Sequence, residues 1–115
     1  MSHFLLSVFH DPGVQQSGTA YQSEEAMHEA FARVEAFNKQ LIDDGQFVYA
    51  CGLTPPESAQ VVHPDASVTA GPAIVGDKQL GGFWVVDAPT LEAAAALAEK
   101  GAAACGQPVE LRPLQ

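Results

Sequence analysis

Positive charge is what this chain has least of. Five lysines and arginines stand against fourteen aspartates and glutamates, for a formal charge of −9. So few cations cannot neutralise a row of phosphates or release their counterions, which argues against nucleic acid as a partner and against an anionic membrane surface. Long apolar runs are missing too. A membrane span needs about 18–20 uninterrupted apolar residues, and the nearest approach, Ala93 to Ala98, is closed off by Glu92 and Glu99. No Lys or Arg precedes the short apolar run at Phe4, so the charged region of a secretion signal is not seen. There are only two cysteines, Cys51 and Cys105, with no CxxC spacing. Two reduced thiols in a cytoplasm are expected. The four histidines form no HxxxH or HExxH pattern, so no metal is expected, and the glycines form neither GxxxxGK nor GxGxxG, so no phosphate loop is expected either.

What is present is a hydrophobic fraction of 47% spread over 115 residues. That length allows one core and one domain, residues 1–115, burying roughly 60–70% of the unfolded chain's surface. His3 to His10 is an apolar, β-forming run too short for a helix and reads as a strand; Asp11-Pro12-Gly13 ends it, and a polar loop runs to Gln22. Ser23 caps a helix whose apolar residues, Met27, Ala30, Phe31, Val34, Phe37 and Leu41, keep helical spacing to about Asp44, where Gly45 stops it. Gln46 to Cys51 is a second strand, closed by Pro55-Pro56, and Ala59 to His63 a third. A glycine-rich stretch follows, with a short hairpin strand at Ser67 to Thr69. Gly82 to Asp87 is a strong strand. Thr90 caps a second helix from Leu91 to about Ala104, with Leu91, Ala94, Ala95, Ala98 and Ala102 on its expected buried face, and Pro108 to Arg112 is the last strand.

Reduced to its main elements, this order is α+β and ferredoxin-like: a βαββαβ antiparallel sheet with both helices on one face. The first strand and the Phe83-Trp84 strand are apolar on both faces. A chain of this size has no second layer to spare, so the uncovered face predicts a homodimer, sheet against sheet, forming a dimeric α+β barrel.

The chemistry-bearing residues are few. His28 lies at the margin of the first helix's apolar face, near Glu24 and Glu35 in azimuth, where a carboxylate neighbour would raise its basicity; a plain solvent-edge histidine is the alternative. His10 and Asp11 close the first strand as a candidate base and orienter, with Asp11 also fitting a simple turn-former. Tyr49 and Cys51 alternate with Val48 and Ala50, which places them on one strand face with Phe47. No cation stands beside Cys51, so a buried core thiol is expected there unless it borders a substrate. Trp84 suits the core, or the wall of a cavity where it would stack on a planar ligand. Gly81-Gly82 reads as a bulge or a close backbone approach.

Three segments together resemble the DGPF branch of the YCII-related family. They are Ala36-Phe37-Asn38-Lys39-Gln40-Leu41 continuing to Gly52-Leu53-Thr54-Pro55-Pro56; Thr69-Ala70-Gly71-Pro72 followed by Gln79-Leu80-Gly81-Gly82-Phe83; and Val109-Glu110-Leu111-Arg112-Pro113. The resemblance covers nearly the whole chain and implies the same dimeric barrel. Its relatives include a dehydrochlorinase of small ring compounds, proteins with a His–Asp acid/base pair, and proteins encoded beside sigma factors. This chain departs from the pattern: Ala70 and Ala73 replace the motif's aspartate and phenylalanine, and Val34 stands where the first helix often carries histidine.

Two functions follow as expectations. In the first, the dimer binds a small apolar or aromatic metabolite in a cleft between sheet and long helix and performs cofactor-free proton transfer of isomerase or lyase type. His28 or His10 with Asp11 would supply the base, and Tyr49, Val34, Trp84 and Cys51 would contact the substrate. In the second, the eroded motif marks a non-catalytic accessory or regulatory dimer that meets a protein partner such as a sigma factor.

Overall fold

The structure is a computed structural model and describes residues 2–11 and 23–115; the polar loop expected after Asp11 lies outside the described residues. Strand β1 (Ser2–His10) leads to helix α1 (Glu24–Asp43) and strand β2 (Phe47–Gly52). A short 3-10 turn (Pro56–Ser58) precedes the hairpin strands β3 (Gln60–Val62) and β4 (Val68–Ala70). Then come β5 (Gln79–Ala88), helix α2 (Leu91–Cys105) and β6 (Val109–Pro113). The main sheet has the order β2-β5-β1-β6 with every neighbouring pair antiparallel. This is the ferredoxin-like α+β plan, with the β3–β4 hairpin forming a separate two-stranded sheet inserted ahead of β5.

The helices start where side-chain caps allow. Ser23 Oγ accepts the Ala26 amide at 3.0 Å, and Thr90 Oγ1 accepts the Ala93 amide at 3.1 Å; such caps contribute about 1 kcal/mol each. Helix α2 ends on Gly106 at φ 73°, a left-handed conformation that glycine adopts without a Cβ penalty.

Register decides which residues share a face. Phe4 lies opposite Val86 and Leu6 opposite Trp84, and all four are buried in the core with Phe37 and Leu41 of α1 and Leu97 of α2. The residues between them, Leu5, Ser7, Phe83 and Val85, turn to the other face of the sheet. Phe37 meets Trp84 edge-on, with ring centroids 5.3 Å apart at 86°. Gly101 brings α2 down onto these two rings; a Cβ there would stand 3.3 Å from Phe37 Cε2 and 3.4 Å from Trp84 Cζ3. No described helix is long and apolar enough to cross a membrane.

Three expectations about faces need correction. In α2 the buried residues are Ala94, Leu97, Ala98, Gly101, Ala104 and Cys105, while Leu91 and Ala95 are exposed. Alanines on every side of a helix leave its azimuth undefined, and the heavier Leu97 and Cys105 settle it. In β2, Phe47 pairs with Val86 but Tyr49 pairs with Val85, so the strand bulges at Val48 and Phe47 faces the helices while Tyr49 and Cys51 face away. Cys51 is accordingly exposed, and Cys105 is the buried thiol.

Gly101→Val places two methyl groups against the Phe37 and Trp84 rings and is expected to cost about 2 kcal/mol of stability. The measurement is a lower urea midpoint with an unchanged slope. An unshifted midpoint would mean that α2 is not seated on these rings.

Candidate functional site

The apolar stripe of α1 divides in two. Ala30, Phe37 and Leu41 are buried in the core, whereas Met27, Phe31, Val34 and Asn38, spaced i, i+4, i+7, i+11, line a cavity of about 680 Å³. The space exists because the sheet beneath this stretch presents small groups: Ala50 and Gly52 of β2 and Gly81 and Gly82 of β5. Val8 and His10 of β1, with Trp84 of β5, complete the sheet side, and Cys105 and Gln107 close one end. Leu53 and Pro55 stand at the edge. A volume of this order suits a small ligand. Asp, Glu, Lys and Arg are absent from the described lining.

His10 stands out within it. The β1–β5 register slips between Val8 and Phe9, which pair with Gly82 and Leu80, so Gly81 is the bulged residue and the imidazole packs against it. A Cβ on Gly81 would overlap imidazole Cδ2 and stand 2.5 Å from Nε2. His10 is only 5% exposed. Its Nδ1 lies 2.8 Å from the backbone carbonyl oxygen of Asp11. A carbonyl only accepts, so Nδ1 carries the hydrogen and Nε2 the lone pair. Nε2 is buried and has no hydrogen-bond partner among the described residues. Gln79, across the strand pair, spends its amide N–H on the Ile74 carbonyl at 2.8 Å. An orphaned buried acceptor costs about 1–3 kcal/mol, and such a cost is tolerated where a ligand or water completes the bond.

The structure brings His10, Val34 and Trp84 to one cavity, while Cys51 borders it only as part of β2, its side chain facing away from the helices. Asp11 contributes its backbone carbonyl to His10, but its carboxylate turns away to Lys78, 2.8 Å from Nζ. His28 lies outside, exposed on the outer surface of α1 beside Glu24, Glu25 and Glu29. Tyr49 is 56% exposed on the far face of the sheet, its ring 6.1 Å from that of Phe83. Ala70 and Ala73, the altered motif positions, do not line the cavity. They flank Gly71, whose φ of 98° and amide bond to the Ala59 carbonyl fix a turn beyond the hairpin.

Asn38 and Gln107 were not singled out from the sequence. The signal for Asn38 was present: a lone amide one turn beyond Val34 on an apolar helix face. Its Oδ1 accepts the Trp84 indole N–H at 2.7 Å, a bond that joins helix to sheet and was invisible along the chain. Cys105 reaches the cavity as a neutral group, because burial pushes its thiol above the ordinary range. The unfolded chain ionises there first, so this thiol lowers stability as pH rises through about 9. Among the described residues no three of His, Cys, Asp and Glu converge as metal ligands.

A family model described as the YCII-related domain matches residues 4–111 of the chain. No curated protein matches it.

The packing of His10 on Gly81 is tested by a double-mutant cycle. Gly81→Ala is expected to destabilise the protein by about 1–3 kcal/mol and to cost much less in a His10→Ala background. Equal costs in both backgrounds, by urea unfolding, would separate the ring from the bulge.

Proposed function

This chain belongs to the YCII-related domain family, and from that premise we propose that its cavity binds a small apolar or aromatic metabolite and moves a proton on it without a cofactor, an isomerase- or lyase-type reaction. One observation carries this reading: a buried histidine whose tautomer is set by a backbone carbonyl and whose Nε2 lone pair has no protein partner. A general base needs a fixed lone pair within reach of a bound hydrogen, in a place that keeps water out. On its Gly81 side the imidazole meets backbone only, so a small turn of the ring presents Nε2 to a ligand. When Nε2 takes the proton, Nδ1 keeps its bond to the Asp11 carbonyl, and the ring stays oriented for the return transfer. The base is His10 rather than His28, because His28 faces water among carboxylates and away from the cavity. Trp84, Phe31 and Val34 supply apolar walls, and Cys51 stands at the rim.

The functional unit is a homodimer formed through the outer face of the sheet. Both helices pack on the inner face, and the molecule is only 19 Å thick, room for a sheet and one helical layer. Leu5, Phe83 and Val85 lie on the outer face with the more exposed Tyr49 and Leu80. On that face Arg112 pairs with Glu110 at 2.9 Å, and His3 Nε2 lies 3.2 Å from Asp87 Oδ1. Two cysteines that form no disulfide fit a reducing, cytoplasmic setting.

Trp84 is the single tryptophan, so its fluorescence reports binding. A screen of small ring compounds is expected to yield ligands that perturb it. Among these, compounds with acidic C–H groups exchange hydrogen for deuterium in heavy water under catalysis by the protein. His10→Gln should slow that exchange by about 100-fold or more, and His28→Ala should leave it intact. Silence of Trp84 toward every compound, or exchange that survives in His10→Gln, would remove the assignment.

Light scattering is expected to give twice the chain mass of 12.1 kDa for the wild type and the chain mass for Val85→Glu. A monomeric wild type would exclude the dimer.

A further inference from the structure

We infer that the ligand is a neutral carbonyl compound, with the Asn38 amide holding its carbonyl oxygen while His10 takes the acidic hydrogen beside that carbonyl; the inference rests on the cavity reading above and adds the chemical class. The first support is charge. The described lining contains none of Asp, Glu, Lys or Arg. Arg33, the cation nearest the Cys105 end, donates to the Ala104 carbonyl and stands outside the described lining, so a carboxylate or phosphate entering this cavity would shed its hydration without a counter-ion in direct contact, inside a molecule of charge −9. A cationic ligand would find no carboxylate. Only an uncharged compound enters without that loss.

The second support is the direction of two hydrogen-bonding groups. An indole N–H donates and never accepts, so the Asn38 atom 2.7 Å from Trp84 Nε1 is Oδ1. The other end of the amide is then Nδ2, a pure donor, and it has no protein partner among the described residues. His10 offers the reverse, a pure acceptor at Nε2. Gln107 also lines the cavity, but its amide can present either end and does not discriminate. A carbonyl oxygen is an acceptor only and fits Asn38; a hydrogen on the adjacent carbon is what an imidazole lone pair removes.

The proton transfer balances within these groups. The C–H bond beside the carbonyl breaks and an N–H bond forms at His10 Nε2. The electron pair of the broken bond becomes the carbon–carbon double bond of an enolate, and the carbonyl π pair moves onto oxygen. Asn38 Nδ2–H donates to that oxygen, where negative charge has gathered. The imidazolium then returns its proton to the same carbon, which is exchange, or to a conjugated one, which is isomerisation. No oxidant or second reactant is needed. The donor is preorganised, because Asn38 is tied to Trp84 and Trp84 is wedged against Phe37.

The test uses the full chain at pH 8 with three probes, trans-2-decalone, decahydro-2-naphthoate and cyclohexane, read by Trp84 fluorescence and by the side-chain amide resonances of Asn38. The ketone is expected to bind at least tenfold more tightly than the carboxylate and to shift the Asn38 amide signals. Asn38→Asp keeps an oxygen for the Trp84 N–H but replaces the donor with an acceptor. It is expected to weaken the ketone at least tenfold and leave cyclohexane unchanged, with the Trp84 indole resonance in place as evidence of an intact fold. Equal affinity of ketone and carboxylate for the wild type, or ketone binding indifferent to Asn38→Asp, would overturn the carbonyl assignment and leave the cavity reading standing. Failure of both cyclohexane and ketone to perturb Trp84 would overturn the two together.

Discussion

Trp84 is held from two directions, and the arrangement of both layers depends on it. Its ring lies edge-on to Phe37, which fixes the height of α1 above the sheet, and its N–H is donated to Asn38 one residue further along the same helix. Gly101 lets α2 close onto the same pair of rings. A buried indole must find an acceptor for its N–H, and by finding it on α1 the chain locks the helix in rotation as well as in height. The same bond marks where the packed core stops and the cavity starts: Phe37 faces one and Asn38 the other.

On the far side of that boundary the chain gives up packing. Gly81, Gly82 and Ala50 present almost no side chain beneath α1, and Phe31 remains 57% exposed. His10 is buried there with an unmatched nitrogen. These features lie together at one site, where the packing of the core gives way. The bulge at Gly81 serves both ends, since it shifts the strand register and leaves room for the imidazole.

The altered motif at Ala70 to Ala73 has a different meaning in three dimensions from the one it has along the chain. Loss of its polar side chains reads as the erosion of an active site, yet these residues sit at the turn after β4 and do not line the cavity. The glycine that survives there holds a left-handed backbone. Val34, by contrast, does line the cavity, and at that position an apolar side chain makes the wall uncharged. Polar groups of the lining, His10 and Asn38 among them, come from other parts of the chain.

The helix caps, the order of elements along the chain and the ferredoxin-like plan were legible in the sequence, because caps and periodicity are local: Ser23 and Thr90 act on amides three residues away, and β1 and β5 announce themselves by composition. His10, Val34, Trp84 and Cys51 could be picked out as candidates for the same reason. Tertiary structure alone decided which of them meet. The bulge at Val48 turned Tyr49 away from the helices, the rotation of an alanine-rich α2 hid Cys105 and left Leu91 outside, and Asp11 gave His10 its carbonyl while its carboxylate went to Lys78. Register, azimuth and the direction of a hydrogen bond are set by partners tens of residues distant, so nothing at the residue itself records them. The bond between Asn38 and Trp84, which joins the fold to its cavity, is of that kind.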